Sequence, residues 1–276
     1  MRWAYIIDES GTTYISGNDC HFLESEITEV NTKTSEQEIA GMDGVLVGAN
    51  TFGSFELTLK FYYDGVDSSD LILFTEKIKK IIHTRKSMYI VHSELPARKY
   101  AFNSAKVDWE KITNSDITFS ISFNIYKGYS ESLYDTDQFS LGNGNWQFES
   151  GLLPDNTTSY RHNKQMFEIL NGSSDTIDPR QRHRLKIIIR LNTNKGFRLV
   201  NKTTGDVFEF KSDLDINRQL TIDGGYPYMQ VNDVRGRCGR LTNHGLITLA
   251  PGINKFEIWG TVTDLDIQFI FPFIYR

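Results

Sequence analysis

Two stretches of strict alternation constrain this chain more than anything else in it. Phe55, Leu57, Leu59, Phe61 and Tyr63 alternate with Glu56, Thr58, Lys60, Tyr62 and Asp64, and Ile117, Phe119, Ile121, Phe123 and Ile125 alternate with Thr118, Ser120, Ser122 and Asn124. A period of two sends successive side chains to opposite faces of a strand, so each stretch predicts one face in a core and the other largely in water. A helix would scatter the same residues around its circumference. With 18 Phe and 13 Tyr in 276 residues the composition also favours strands, and the fold class is predicted to be mainly β. Weaker strands are predicted at 3–7, 21–30, 88–92 and 99–102.

Between the two strong strands lies one good helix, predicted over 69–84, with Leu71, Phe74, Ile78, Ile81 and Ile82 at helical spacing. Ser68, Ser69 and Asp70 offer N-cap oxygens, and Lys77, Lys79, Lys80 and Arg85 gather at the negative end of the dipole. A helix so marked covers a sheet. The segment 31–54 carries Gly41, Gly44, Gly48 and Gly53, and its polar stretch 31–38 is longer than the median loop of about 4–6 residues. Asp43-Gly44 is a hairpin turn signal, so 31–54 reads as a protruding two-stranded arm with little core of its own, which needs a partner surface. The bland alternative is a surface loop.

Periodicity breaks after Tyr126, and Gly128, Gly142, Gly144, Gly151 and Pro154 follow, which places a domain junction near 130–138. The expected halves are 1–130 and 131–276. Beyond the junction short strands alternate with turn signals, the pattern of a β-sandwich, at 166–170, 185–191, 197–201, 207–211, 219–223, 229–231, 247–249, 255–260 and 266–271.

The formal charge is 30 − 35 = −5, which argues against a clustered nucleic-acid-binding face. No apolar run reaches the roughly 18 residues of a membrane span, and the N-terminal residues turn acidic too early for a secretory signal, so no membrane contact and no export by that route are expected. Cys20 and Cys238 form neither a disulfide framework nor a metal-ligand spacing. The nucleophile elbow, the zinc-protease His pair, the Walker loop and the dinucleotide fingerprint are all missing, so no enzyme, cofactor or metal is expected. Asp213-Leu214-Asp215-Ile216-Asn217 opens like a calcium loop, but Arg218 stands where glycine is needed and Gly224 where a bidentate Glu belongs. The better reading turns Leu214 and Ile216 inward and the acids to water. Gly142-Asn143-Gly144 reads as a turn. His162-Asn163-Lys164 and Trp259-Gly260 raise a sugar-binding reading, but Thr261 and Val262 follow where a galectin site would want Glu and Arg. Trp146 and Trp259 are the candidate saccharide contacts, with a core or interface role as the alternative. Arg180, Arg182, His183, Arg184 and Lys186 form a dense basic run, read as a solvated strand approach or a contact for an acidic partner.

The order of these parts resembles the distal tail proteins of siphophages, the tail-tip hub family. In the first half the resemblance rests on Ile39-Ala40-Gly41-Met42-Asp43-Gly44 leading into Phe55–Phe61, then the helix, Tyr89-Ile90-Val91 and Pro96-Ala97-Arg98-Lys99-Tyr100. In the second half it rests on Leu220-Thr221-Ile222-Asp223-Gly224, then Leu246 to Asn254 with Pro251, Gly252 and Asn254, and the closing strands. Ala40 and Met42 stand where many relatives have Pro and Arg. The resemblance implies a ring of six copies whose N-terminal domains surround a lumen through which DNA passes without specific binding. It also implies galectin-like C-terminal domains pointing outward, which in several relatives hold receptor-binding proteins. The tail tube protein would meet one side of the ring and the tail-associated tip protein the other, in a virion assembled in the bacterial cytoplasm. The alternative function is a host-wall carbohydrate-binding module carried by the C-terminal sandwich.

Overall fold

A computed structural model of the chain describes residues 2–140, 146, 158–231 and 234–276. The chain divides into two compact units, Met1–Glu131 with Arg276, and Ser132–Tyr275.

The first unit holds strands β1 (Ala4–Asp8), β2 (Gly11–Tyr14), β3 (Cys20–Ile27), β4 (Thr32–Lys33), β5 (Glu36–Glu38), β6 (Val45–Val47), β7 (Thr51–Phe52), β8 (Phe55–Asp64), β9 (Met88–His92), β10 (Arg98–Lys111) and β11 (Asp116–Ile125), with helix α1 (Ser68–Ile82) between β8 and β9. Its main sheet runs β2-β1-β9-β10-β11-β8-β3, antiparallel between neighbours. The alternation that predicted β8 and β11 is the burial pattern seen: Leu57, Leu59, Phe61, Ile121, Phe123 and Ile125 are fully buried. Their register sets Phe119 opposite Phe61, with the rings stacked at 5.1 Å, and Ile121 opposite Leu59. A slip of one residue would turn both apolar rows to solvent, so the pattern fixes the pairing.

Helix α1 covers this sheet. Asp67 caps it, its Oδ1 accepting from the amides of Ser69 and Asp70 at 2.8 Å each. Leu71, Phe74, Ile78 and Ile82 face inward, and Phe74 stacks on Tyr63 at 3.7 Å between centroids. The helix stops two residues before the predicted end because His83 leaves the helical region, at φ −87° and ψ 79°. Strand β10 runs well past its predicted end at residue 102. A bulge between Phe102 and Ser104 interrupts the phase, after which half-buried Ala105, Val107 and Trp109 rejoin the core.

The remaining strands are β12 (Ser130–Ser132), which spans the boundary, and then β13 (Arg161–His162), β14 (Met166–Asn171), β15 (Lys186–Asn192), β16 (Phe197–Asn201), β17 (Val207–Phe210), β18 (Gln219–Asp223), β19 (Tyr226–Val231), β20 (Val234–Arg237), β21 (Gly252–Trp259), β22 (Thr263–Ile270) and β23 (Ile274–Tyr275). One sheet runs β13-β22-β15-β18-β19-β20 and the other β14-β21-β16-β17. Phe167 and Phe256 of the smaller sheet meet Phe269 of the larger at 5.9 and 4.9 Å between centroids, so the two pack as a sandwich.

The expected strand at 247–249 is not a strand: Leu249 makes a single bridge to Ile177. Asparagine side chains occupy its backbone instead. Asn201 Nδ2 donates to the Thr248 carbonyl at 2.8 Å, and Asn171 Nδ2 donates to the Leu249 carbonyl at 2.9 Å. Leu214 is buried and bridges Thr193 while Asp213 and Asp215 are exposed, as expected, but Ile216 is only half-buried. The Gly142-Asn143-Gly144 turn lies outside the described residues.

Candidate functional site

The arm is built from two short ladders. β4 pairs β7 through Thr32↔Phe52 and Lys33↔Thr51, and β5 pairs β6 through Glu36↔Val47, Gln37↔Leu46 and Glu38↔Val45. Gly48 and Gly53 donate backbone bonds across the hairpin to Ser35 and Asn31, each at 2.7 Å. At the tip the Met42 amide donates to the Ile39 carbonyl, and Gly41 and Gly44 both sit at φ 85°, a region costly for a residue with a Cβ. Asp43 lies between them, exposed. The arm has backbone order but no interior: Ile39, Met42, Val45, Leu46, Val47 and Phe52 are all exposed, Val47 at 60% and Met42 at 68%. Scattered exposed apolar residues are ordinary, but a contiguous group on one hairpin marks an interaction surface. Helix α1 adds Ile72 and Leu73 on its outer side.

The root of the arm is fixed, through residues the sequence did not connect with it. Gly128, at φ 72°, lies so close that a Cβ there would sit 2.6 Å from the Gly53 carbonyl oxygen. The Arg276 guanidinium stacks 3.8 Å above the Phe52 ring.

The other residues singled out in the sequence do not gather into one site. Asp223 ends β18, and Gly224, at φ 58°, turns the chain into β19 while its amide donates to the Leu185 carbonyl at 2.8 Å. Gly252, at φ 88° after Pro251, starts β21. Asn254 is fully buried: its Oδ1 accepts from the Ala250 amide at 2.9 Å, and its Nδ2 donates to the Ala250 and Gly252 carbonyls at 2.8 and 3.2 Å. It closes the turn as a staple. Asn254→Ala strands several buried backbone groups and is expected to cost about 2–3 kcal/mol by urea unfolding. A loss within error would show the turn to be held by other contacts.

Trp146 is half-buried among Phe139 and Phe273, at 5.1 and 5.3 Å between centroids, whereas Trp259 is exposed at the end of β21. His162 lies against Phe167 at 4.8 Å and pairs through Nε2 with the Ser159 carbonyl, and burial pulls its pKa below the ordinary value. Trp146 and His162 thus pack against core rings, while Trp259 stands on the surface. Among the described residues no group of three or more His, Cys, Asp or Glu is placed to hold a metal ion, and no helix is long and apolar enough to cross a membrane.

Residues 9–125, the helix-covered sheet with its coreless arm, match the family model of the phage tail protein RIFT-related domain. The chain is also similar over its full length to the Dit protein of phage SPP1, described as a paradigm of the hub adsorption apparatus in phages infecting Gram-positive bacteria. That similarity has 11% identity, a TM-score of 0.67 and complete coverage of both chains. Two structures of the phage p2 baseplate in its activated conformation, with strontium and with calcium, align over 98% of each chain at 12% identity and a TM-score of 0.46. The comparison with curated proteins gives no match. Residues 9–125 are thus similar to the phage tail protein RIFT-related domain, and the chain as a whole has the fold of the SPP1 Dit protein.

Proposed function

We propose that this chain is the structural hub of a siphophage tail tip, closing with copies of itself into a six-membered ring that joins the tail tube to the tip and host-adhesion proteins. The observation that carries this reading is the arm: an ordered hairpin with an apolar surface, anchored at its root and coreless along its length, in a domain of a phage tail family. Such an element is stabilised by lying on another copy. A head-to-tail contact that closes by rotation gives a ring, and β2 and β3 end the main sheet on either side as edges for a neighbouring arm. In this reading the half 1–130 forms the ring and the half 131–276, galectin-like in fold, faces outward toward receptor-binding proteins. The mildly acidic chain gives a lumen that lets DNA slide through without gripping its phosphates. The role is one of binding and not of catalysis. It is exercised at the virion tail tip after assembly in the bacterial cytoplasm.

Light scattering on the purified protein is the test. The wild-type chain is expected to show six times the mass of one chain and, by electron microscopy, rings with a central hole. Replacing Val45, Leu46 and Val47 together by Asp is expected to leave a monomer. Each of the three is exposed, so the subunit's own stability should move by no more than about 0.5 kcal/mol per substitution. A wild-type chain that stays monomeric at high concentration, or a ring that survives the triple substitution, overturns the proposal.

A further inference from the structure

The basic run at 180–186 does not stand alone in space. The bond from the Gly224 amide to the Leu185 carbonyl brings it beside the β18–β19 turn, and β20 contributes a second set of arginines there, some fifty residues later in the chain. Together Arg182, Arg184, Arg235 and Arg237, with Tyr226, line a cleft of about 790 Å³. Arg184 is paired with Asp135 at 2.7 Å, and the Asp223 carboxylate faces Arg235 at 3.9 Å. Among the described residues Arg182 and Arg237 have no carboxylate within salt-bridge reach. For a chain of charge −5 this is a local excess of cations on one side of one strand.

That strand is an edge. β20 ends the larger sheet of the sandwich, all four of its residues are exposed, and among the described residues nothing pairs with its far side. Its register against β19, Tyr228↔Arg237 and Gln230↔Arg235, puts Arg235 and Arg237 on one face, where the Arg235 guanidinium lies 3.3 Å above the Tyr228 ring. Gly236 lies opposite Met229, and Met229 lies opposite buried Leu220, so the other face of β20, exposed here at the edge, continues the core-facing row of the sheet. Around the edge is a second cleft of about 1000 Å³, whose apolar wall is Met229, Val234, Cys238 and Leu241 and whose rim carries Arg218, Arg240 and Arg237, the last shared with the first cleft.

We propose that the free edge of β20 receives an extended acidic segment of a partner protein. Alternate carboxylates of the segment would meet the arginines on the outer side, and the apolar residues between them would enter the second cleft. Strand addition supplies backbone hydrogen bonds from the edge, and the alternation of side chains supplies specificity. The planar guanidinium fork matches a carboxylate with two bonds, and Arg235 is already oriented by its stack on Tyr228. A phosphate polymer would use the arginines of both clefts but leave the edge amides and the apolar wall of the second cleft unused, which favours a polypeptide. Charges on an edge also discourage sheets from pairing with themselves, a role that requires neither cleft.

The experiment uses the full chain and a fluorescein-labelled peptide, Glu-Val-Glu-Val-Glu-Val-Glu, followed by fluorescence anisotropy. Saturable binding is expected, weakening with added salt. The Arg235→Glu/Arg237→Glu variant and, independently, Arg182→Glu are each expected to weaken it at least tenfold. Arg85→Glu, an exposed arginine in the first unit, should leave it unchanged. The same peptide with Pro for each Val, which cannot join a ladder, is expected not to bind. Circular dichroism checks that each variant is folded, and light scattering that its oligomeric state is that of the wild type, which separates this proposal from ring formation. The proposal is overturned by absence of binding in the wild type, by unchanged affinity in the folded arginine variants, or by equal binding of the proline peptide. It is also overturned if polyphosphate binds as tightly as the valine peptide, or if the double variant alters the oligomeric state, which would make a second copy the occupant.

Discussion

Replacing Lys127 by Met is expected to destabilise the first unit by about 3–5 kcal/mol, as for other buried ion pairs that lose one partner. Lys127 Nζ donates to Glu131 Oε1 at 2.7 Å and to the Tyr89 hydroxyl at 3.0 Å, and it lies 5.2 Å from the centre of the Tyr89 ring. The Glu131 side chain is only 4% exposed and that of Lys127 21%, so the pair is shielded from the solvent that makes surface bridges weak. Burial alone would push the Lys127 ammonium toward neutrality, but the Glu131 carboxylate and the Tyr89 hydroxyl outweigh it and hold the pKa above the usual lysine value. Around them burial raises the Tyr89 phenol and pushes that of Tyr129 up to about 12. Without the ammonium the carboxylate is left buried and uncompensated. The double variant Lys127→Met/Glu131→Leu is expected to recover most of the loss, because both desolvation costs go with the charges. Urea unfolding of the wild type, the two single variants and the double variant checks this: additive losses would show that the pair is not coupled.

How much of this could be read from the sequence depends on whether an element buries one face. β8 and β11 were legible because each turns one row to the core and the other outward, so the alternation is written in the residues. The arm was legible for the opposite reason, since glycines at positive φ and a long polar stretch cannot form a core and so announce a hairpin without one. β20 was missed because Val234-Arg235-Gly236-Arg237 is exposed on both sides and carries no period. The end of β10 was missed although Ala105, Val107 and Trp109 do alternate with Lys106, Asp108 and Glu110, because the bulge after Phe102 shifts the phase and makes one strand look like two pieces. The apolar run at 247–249 misled because, apart from the one bridge to Ile177, its Thr248 and Leu249 carbonyls accept from the side chains of Asn201 and Asn171, distant asparagines that look like ordinary surface residues in a linear reading. The candidate site shows the same division: its hairpin was readable, whereas the contacts of Gly128 and Arg276 that fix its root exist only once the chain is folded.

The second large effect concerns acid. His92 is fully buried between the rings of Phe22 and Tyr100, at 5.9 and 5.7 Å between centroids, and among the described residues neither ring nitrogen has a hydrogen-bond partner. Burial holds its pKa down at about 4 against an ordinary 6.5, with Glu94 pulling weakly the other way. An unfolded chain therefore binds a proton at His92 that the folded chain refuses. The stability tied to the neutral ring is complete above pH 6.5, falls as the pH drops from 6.5 toward 4, and changes no further below that. The depression corresponds to a loss of about 3 kcal/mol. Asp8, Asp70, Asp178 and Asp266 also have pKa values below the ordinary carboxylate value, but their contributions fade only below about pH 4, so the two effects separate along the pH axis. Urea midpoints for the first unit between pH 7.5 and 4.5 are expected to drop in the wild type and to stay nearly level in His92→Phe, whose ring suits the same aromatic cage and cannot be protonated. An equal drop in both proteins would place the acid sensitivity elsewhere, and a level wild-type profile would mean that the buried imidazole finds a proton acceptor when it charges.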